Sequence, residues 1–545
     1  MKEPPKKGRI HMRKTTMRAV NVMLTLMLLI SVLAACSGGN SGSTGSTNTP
    51  KENNTPANSG SASEGNSATG IDTSKKVELQ FYMLGDAPKD LAIIQDEINK
   101  MALQDLNATV KFNYTSWTDW DQKYKLLLGS GQQVDLIFTA EWTQYQSYAK
   151  KGAFQPLDEL LPKAAPTLYS FVPENMWEAV KIDGKIFTVP ATYKEYVTDG
   201  FVWREDLREK YNLPKPVDLE TFEQYLDGIK KNEPTMTPLS MNSDVKTNLM
   251  DRFRGIAHDP IGALPYGLGV RYETPKEVYS YWGSDEQKQD LVTLKRWQDN
   301  GYMVKNVLAV KDTLQDQITS GKASAILGDN PNRFNDMVIK IQTTHPDWKL
   351  AYHPFPLTNG LATPVHPIHN GFAIPTSSKN AERALAFYEK MVTDKRYNQL
   401  TQYGIEGKNY EVKDGYYSML GDANSNGFAR EGMNGWAWRN PEYMLFDKNY
   451  DGVKAIFDEL DKIQVPDKFT GFAEDYTSYQ AERAALEQVE KQYLFPLNAG
   501  LVKNIDEGLN TFMEKAKQAG LDKIQEEYKK QWLQYVQDQG IKDGK

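Results

Sequence analysis

The run Val77-Glu78-Leu79-Gln80-Phe81-Tyr82 opens a stretch that closes on Val134-Asp135-Leu136-Ile137-Phe138. In the first segment Val77, Leu79 and Phe81 alternate with Glu78, Gln80 and Tyr82, the two-residue period of a strand with one buried face. Asp90 to Leu106 then sets Ile94, Ile98 and Met101 at helical spacing. Val110 to Tyr114 predicts a second strand, Trp120 to Leu128 a short helix stopped at Gly129, and Val134 to Phe138 a buried third strand. Strand, helix, strand, helix, strand is the order of a parallel α/β sheet. Such sheets meet their ligands at the loops beyond the carboxyl ends of the strands. Those loops are Tyr82 to Asp86, Trp117 to Trp120 and Thr139 to Trp142.

Downstream, strands are expected at Lys185–Pro190, Asp199–Trp203, Ala323–Leu327, Leu350–His353 and Phe372–Pro375. Asn380 is placed to cap a helix that runs to about Val392. From Asn449 the chain is mostly helical, and Ile524, Tyr528, Trp532 and Tyr535 form one apolar stripe, core by default. A length of 545 residues implies more than one domain. The 29 Tyr and 11 Trp suit flat apolar ligands, although aromatic residues more often serve as core.

Upstream, seven Lys and Arg residues between Lys2 and Arg18 precede a mostly apolar run, Ala19 to Ala35, of signal-peptide size and short for a spanning helix. Leu33-Ala34-Ala35-Cys36 ends it and resembles a bacterial lipobox, in which the Cys is lipidated and becomes the mature N-terminus. Cys36 is the single cysteine, so no intrachain disulfide can form. Ser37 to Asp72 is rich in Gly, Ser, Asn and Thr and is expected to be a disordered linker. Without residues 1–35 the chain keeps 57 of its 64 Lys/Arg and 70 of its 71 Asp/Glu, a net charge of −13. That balance argues against nucleic acid as a partner, which requires a basic face.

Five further blocks resemble the family 1 extracellular solute-binding proteins, in that family's order. They are Val134–Leu157, Lys181–Pro190, Phe201–Leu207, Gly321–Gly328 and Asn370–Phe387. Tyr403–Tyr410 and Gly435–Pro441 resemble the larger LplA- or LipO-like lipoproteins of the family, common in Gram-positive bacteria, with their C-terminal domain of unknown function. The resemblance implies a two-lobed, periplasmic-binding-protein-like (class II) α/β fold with a hinge and a helical C-terminal part. It also implies a lipid-anchored, monomeric receptor on the outer face of the membrane that passes an oligosaccharide to the permease of an ABC importer. On this reading residues 1–35 are the signal peptide and 36–72 the lipidated Cys and linker. One lobe is 73–195 plus 331–395, and the other is 196–330 plus 396–545, including the helical extension.

A sugar site needs aromatic platforms for C–H faces beside fixed hydrogen-bonding groups for hydroxyls. Glu141 and Trp142 stand where the resemblance places ligand contacts, and Tyr193 stands at the first crossing between lobes. Asp329 and Arg333 follow the strand before the expected return crossing. Trp436, Trp438 and Arg439 form an aromatic and cationic turn; alternating Trp can equally be one exposed and one core residue. Trp282 and Tyr82 are further candidates, Trp117 and Trp120 weaker ones. Hinge closure requires contacts to both lobes, so Glu141 is expected on one and Trp436 on the other. No cofactor or metal is expected. Asp447 to Gly452 matches half of a calcium loop, but position 12 is Asp458 in place of Glu, and His366-Pro367-Ile368-His369 has no helical display. A tethered glycoside hydrolase or lyase, a passive polymer binder and a peptide-binding protein of the same fold remain alternatives. No Gly-x-Ser-x-Gly elbow or phosphate-binding loop is present.

Overall fold

In the computed structural model, described residues are 70–117, 119–246, 249–250, 253, 265–421 and 425–544. Cys36, the apolar leader and the linker up to residue 69 lie outside them. Gly70 to Asp72, expected to be linker, belong to the folded body: Ile71 is buried, and Arg383 donates to the carbonyls of Asp72, Leu106 and Asn107.

The principal strands in chain order are β1 (Val77–Leu84), β2 (Ala108–Thr115), β3 (Leu136–Thr139), β4 (Thr188–Pro190), β5 (Gly200–Arg204), β6 (Thr237–Leu239), β7 (Ala323–Asp329), β8 (Leu350–Pro354) and β9 (Gly371–Ala373). They build two sheets, and each sheet is the floor of one lobe. The first has the order β2-β1-β3-β9-β4, the second β8-β5-β7-β6. β1, β2 and β3 are parallel, as the sequence predicts. β9 runs antiparallel to both β3 and β4, so the first sheet is mixed.

Helices Leu91–Leu106 and Ala381–Thr393 help cover the first sheet. Asn380 does precede the second helix, but its side chain donates to Asp135 and makes no cap. Phe81 is central to this core, with its ring 5.3 Å from Phe112, 4.6 Å from Phe372 and 6.3 Å from Trp438. Burying one such side chain contributes about 1.5–3 kcal/mol.

Strand directions locate the cleft. Gly371 pairs with Thr139 at the end of β3 and with Pro190 at the end of β4. The edge of the first sheet that carries the loops after β1, β2 and β3 is therefore also the edge where the chain leaves for the other lobe. In the second sheet Gly200 pairs with Asp329 and with Pro354, and β6 is parallel to β7. The carboxyl ends of β6, β7 and β8 thus lie at the edge where the chain enters. Two crossing segments join these edges, tied by Ala191 N–H to Pro367 O (2.9 Å) and Val365 N–H to Glu195 O (3.0 Å).

The lobe boundaries differ from the expected ones. The strand at 323–329 does not precede the return crossing. Helix Pro331–Thr344 and β8 follow it, and β8 pairs along its whole length with β5. The chain returns only near residue 360. Residues 395–438 then stay with the first lobe, because Tyr397, Phe428, Met433 and Trp438 complete its core. A third crossing leads to helix Tyr450–Asp461, which packs on Pro331–Thr344.

The helical C-terminal module is built on the second lobe's hairpin Leu268–Arg271/Thr274–Ser280. The stripe read in the last helix, Leu521–Asp538, is core as expected: Ile524, Tyr528 and Trp532 are buried there with Val536, and Tyr535 packs partly exposed beside them. Among the described residues no helix is long and apolar enough to cross a membrane.

Candidate ligand cleft

Four indoles gather on the first lobe at the edge facing the second. Trp117 follows β2, Trp120 begins helix Trp120–Gly129, Trp142 follows β3, and Trp436 enters on the loop that returns from residue 403. The ring of Trp117 lies 6.3 Å from Trp142 at an interplanar angle of 25°, and 6.0 Å from Trp436 at 34°. Trp120 meets Trp142 edge-on at 6.2 Å. Phe138 supports Trp142 and Trp436 from beneath. Trp117 and Trp142 remain 47% and 37% exposed, high values for tryptophan, so the row offers open aromatic faces.

The backbone makes room for the row. Gly85, just past β1, has φ of +102°, and a Cβ there would stand 3.1 Å from Trp117 Nε1 and 2.4 Å from Asn434 Nδ2. Asn434 donates to Leu84 O at 2.8 Å and pins the Trp436 loop to the strand end.

Glu141 adjoins Trp142. Its Oε1 is 2.6 Å from His369 Nδ1, while Trp142 Nε1 donates to His369 O at 2.9 Å. Burial alone would lower the pKa of His369, but the hydrogen bond and charge of Glu141 outweigh it and hold the pKa above 6.5. Glu141 Oε2 is buried with no protein partner, an acceptor with capacity for a donor. A histidine whose folded pKa is raised contributes stability that is complete below its unfolded pKa and lost as pH rises through the folded value. Glu141→Gln is therefore expected to lower the unfolding temperature more at about pH 6 than at about pH 9. Equal losses at the two values would show that the charge on His369 is not involved.

The facing edge of the second lobe is polar. Asn242, Gln315, Arg333, Asp336 and Lys340 line a recess of about 540 Å³ beyond β6 and β7. The surroundings of Asp336, which is itself exposed at the mouth of the recess, push its carboxyl upward, with Arg430 of the first lobe opposing the shift. Asp329 is buried and accepts from Gln315 at 2.7 Å, and the side chain of Arg333 is exposed at 3.9 Å from it. These two stand on the second lobe.

Trp436 does not. It joins Glu141 and Trp142 on the first lobe, against the expected division, because the loop carrying it is anchored by the burial of Trp438. Trp438 is fully buried, its Nε1 donating to Thr401 at 2.9 Å, so it is core and has no face for a ligand. Arg439 is buried at the pivot, bonded to Glu195 at 2.7 Å and bidentate to Glu431. Tyr193 is half-buried there, its hydroxyl 3.2 Å from that of Tyr450. Glu195 also accepts from Asn332 of the second lobe at 3.1 Å.

Trp282 packs over Gly267 and edge-on to Phe512 inside the C-terminal module, away from the indole row. Tyr82 lies in β1, tied to Gln132 at 2.8 Å. Asp447 accepts from Asn449 N–H and from Asn335, and helix Tyr450–Asp461 begins within the half calcium motif, so this stretch is a turn into a helix. No group of three or more His, Cys, Asp or Glu able to hold a metal occurs among the described residues. Sequence reasoning missed His369 and Asp336 as members of the cleft. Neither carries a local pattern, and each acts through a group hundreds of residues away or on the other lobe.

The sequence profile of the bacterial extracellular solute-binding proteins matches residues 89–396, and that of a domain of unknown function matches residues 468–537. A carbohydrate ABC transporter substrate-binding protein of Streptococcus pneumoniae serotype 4 (strain ATCC BAA-334 / TIGR4) is 24% identical over 481 residues, 87% of this chain and 94% of that one. Lipoprotein LipO of Bacillus subtilis (strain 168) is 24% identical over 377 residues, 65% of this chain and 73% of the relative. The solved structure of the N-glycan transport solute-binding protein NgtS of Streptococcus pneumoniae is similar with a TM-score of 0.65 and 21% identity, over 85% of this chain and all of that one.

Proposed function

The chain belongs to the bacterial extracellular solute-binding protein family, and from that premise we propose that it is a cell-surface lipoprotein that captures an oligosaccharide between its two lobes and delivers it to the permease of an ABC importer. The observation that carries the reading is the row of Trp142, Trp117 and Trp436 at the inner edge of the first lobe. Open indole faces suit the apolar C–H faces of sugar rings, and Glu141 beside them offers an acceptor for a hydroxyl. The polar recess at Asn242, Gln315 and Asp336 supplies partners from the other lobe. Closure is favoured only to the extent that a ligand touches both walls. The names of the pneumococcal relative and of LipO support carbohydrate import and a lipoprotein, with Cys36 as the residue lipidated.

A thermal-shift screen of the full chain against neutral and acidic oligosaccharides tests this, with the sugars recovered and chromatographed. Ligand at 100 times its Kd should add about 2.7 kcal/mol to stability. A shift with intact sugar is the expected result. Shortened sugar would replace the receptor by a hydrolase or lyase, and no shift with any sugar would remove the carbohydrate reading.

A further inference from the structure

A second concavity lies between the first lobe and the C-terminal module. It is a cleft of about 680 Å³, continued by an adjoining one of about 670 Å³. Lys150, Asp183, Gly471, Tyr535 and Gln539 line both, so the two form one groove. Each part alone is of the size that takes a small ligand. The module forms one wall, and helix Tyr145–Lys150 with the hairpin Lys181–Ile182/Lys185–Ile186 forms part of the other. Gln146 Nε2 crosses it, donating to Thr470 O at 2.9 Å.

The groove is lined by segments that adjoin, along the chain, those carrying the indole row. Helix Tyr145–Lys150 directly follows the Glu141-Trp142 turn, and His366 and Ile368 line the cleft three residues and one residue before His369. His366 is near enough to Glu141 and His369 on one side, and to Asp467 of the module on the other, for all three to bias its charge. The groove walls mix Lys150, Lys181 and Lys542 with Glu178, Asp183 and Asp467. Such a surface of interspersed donors and acceptors, with no single-sign field, suits a chain of hydroxyls better than a polyanion or an apolar tail.

We propose that this groove is an extension of the oligosaccharide site that holds the outer rings of a long chain whose inner rings lie on the indole row. The C-terminal module thereby selects for chain length. This rests on the carbohydrate reading above.

The test is calorimetric titration of the full chain with two neutral ladders, mannan oligosaccharides and xylan oligosaccharides, each from disaccharide to octasaccharide. Lys150→Ala and Gln539→Ile change exposed groove residues outside the indole row, the second one replacing an amide by a branched apolar side chain that offers a hydroxyl no hydrogen bond. The expected result is affinity that rises about tenfold or more with length in one ladder. Both variants should flatten that rise and leave the shortest binding member unchanged. Affinity independent of length, or variants that weaken short and long members equally, would overturn the extension while leaving sugar binding in place. If neither ladder binds and the thermal-shift screen finds no sugar, the extension falls together with the carbohydrate reading. Unchanged unfolding temperatures in both variants would exclude misfolding as the cause of any loss.

Discussion

Trp117→Ala is expected to weaken oligosaccharide binding by on the order of 30-fold, about 2 kcal/mol, with little change in unfolding temperature. Trp117 is the middle of the row, contacting both Trp142 and Trp436, so its loss splits the platform in two. It is also the most exposed of the three, at 47%, and little core packing is lost with it. Large aromatic anchors carry most of the binding energy in such interfaces, and their truncation leaves neighbouring contacts unable to exclude water. Calorimetric titration with a sugar from the screen, beside differential scanning calorimetry of the apo variant, separates the two effects. Trp438→Phe is the control: that indole is fully buried and bonded to Thr401, so unfolding should move and affinity should not. An unchanged Kd in Trp117→Ala would take the ligand away from the row.

Arg439→Met is expected to destabilise the protein by about 3–5 kcal/mol, because it leaves buried Glu195 without its cation and Glu431 with Arg430 alone. Glu195 and Glu431 both depend on it, and Glu195 also holds Asn332 of the second lobe. Burial acts to raise the pKa of Glu431, but Arg439 and Arg430 together keep it below the usual carboxylate value. A depressed carboxylate pKa contributes stability that is present above the unfolded pKa and is lost as pH falls through the folded one. In the variant only Arg430 opposes the burial of Glu431, so its carboxyl loses most of that depression and protonating it at low pH costs less. The gap between wild type and variant should therefore narrow as pH drops from about 7 to about 4.5. Chemical denaturation at the two pH values checks this, and a gap that stays constant would show that the carboxylates find other partners.

These two variants separate platform from pivot. Arg439 and Tyr193 were both candidates for ligand contact, and the structure places them where three chain crossings meet. The Glu195–Arg439–Glu431 triad ties the first crossing to the loop that carries Trp436, and Asn332 links it to the second lobe.

The amino-acid sequence by itself determined the elements whose signals are local. The alternation at Val77 to Tyr82, the helical spacing of Ile94 and Ile98, and the apolar run at Leu136 to Phe138 are all found as read. It also located Glu141, Trp142 and Trp117 on strand-end loops, because in parallel sheets that position follows from strand direction alone. Only the tertiary structure decided which lobe each later segment joins. The strand at 323–329 was legible, but its successor's pairing with β5 is a contact across 146 positions in sequence, Leu350 with Arg204, which no local pattern carries. The same holds for the Trp436-Ala437-Trp438 turn. Its composition shows two indoles of equal chemistry, and only the packing of Trp438 among Phe81, Phe372 and Thr401 makes one of them core and leaves the other at the cleft. Burial is a property of the whole chain's fold, so the division between platform and core was fixed there and not in the sequence of the turn.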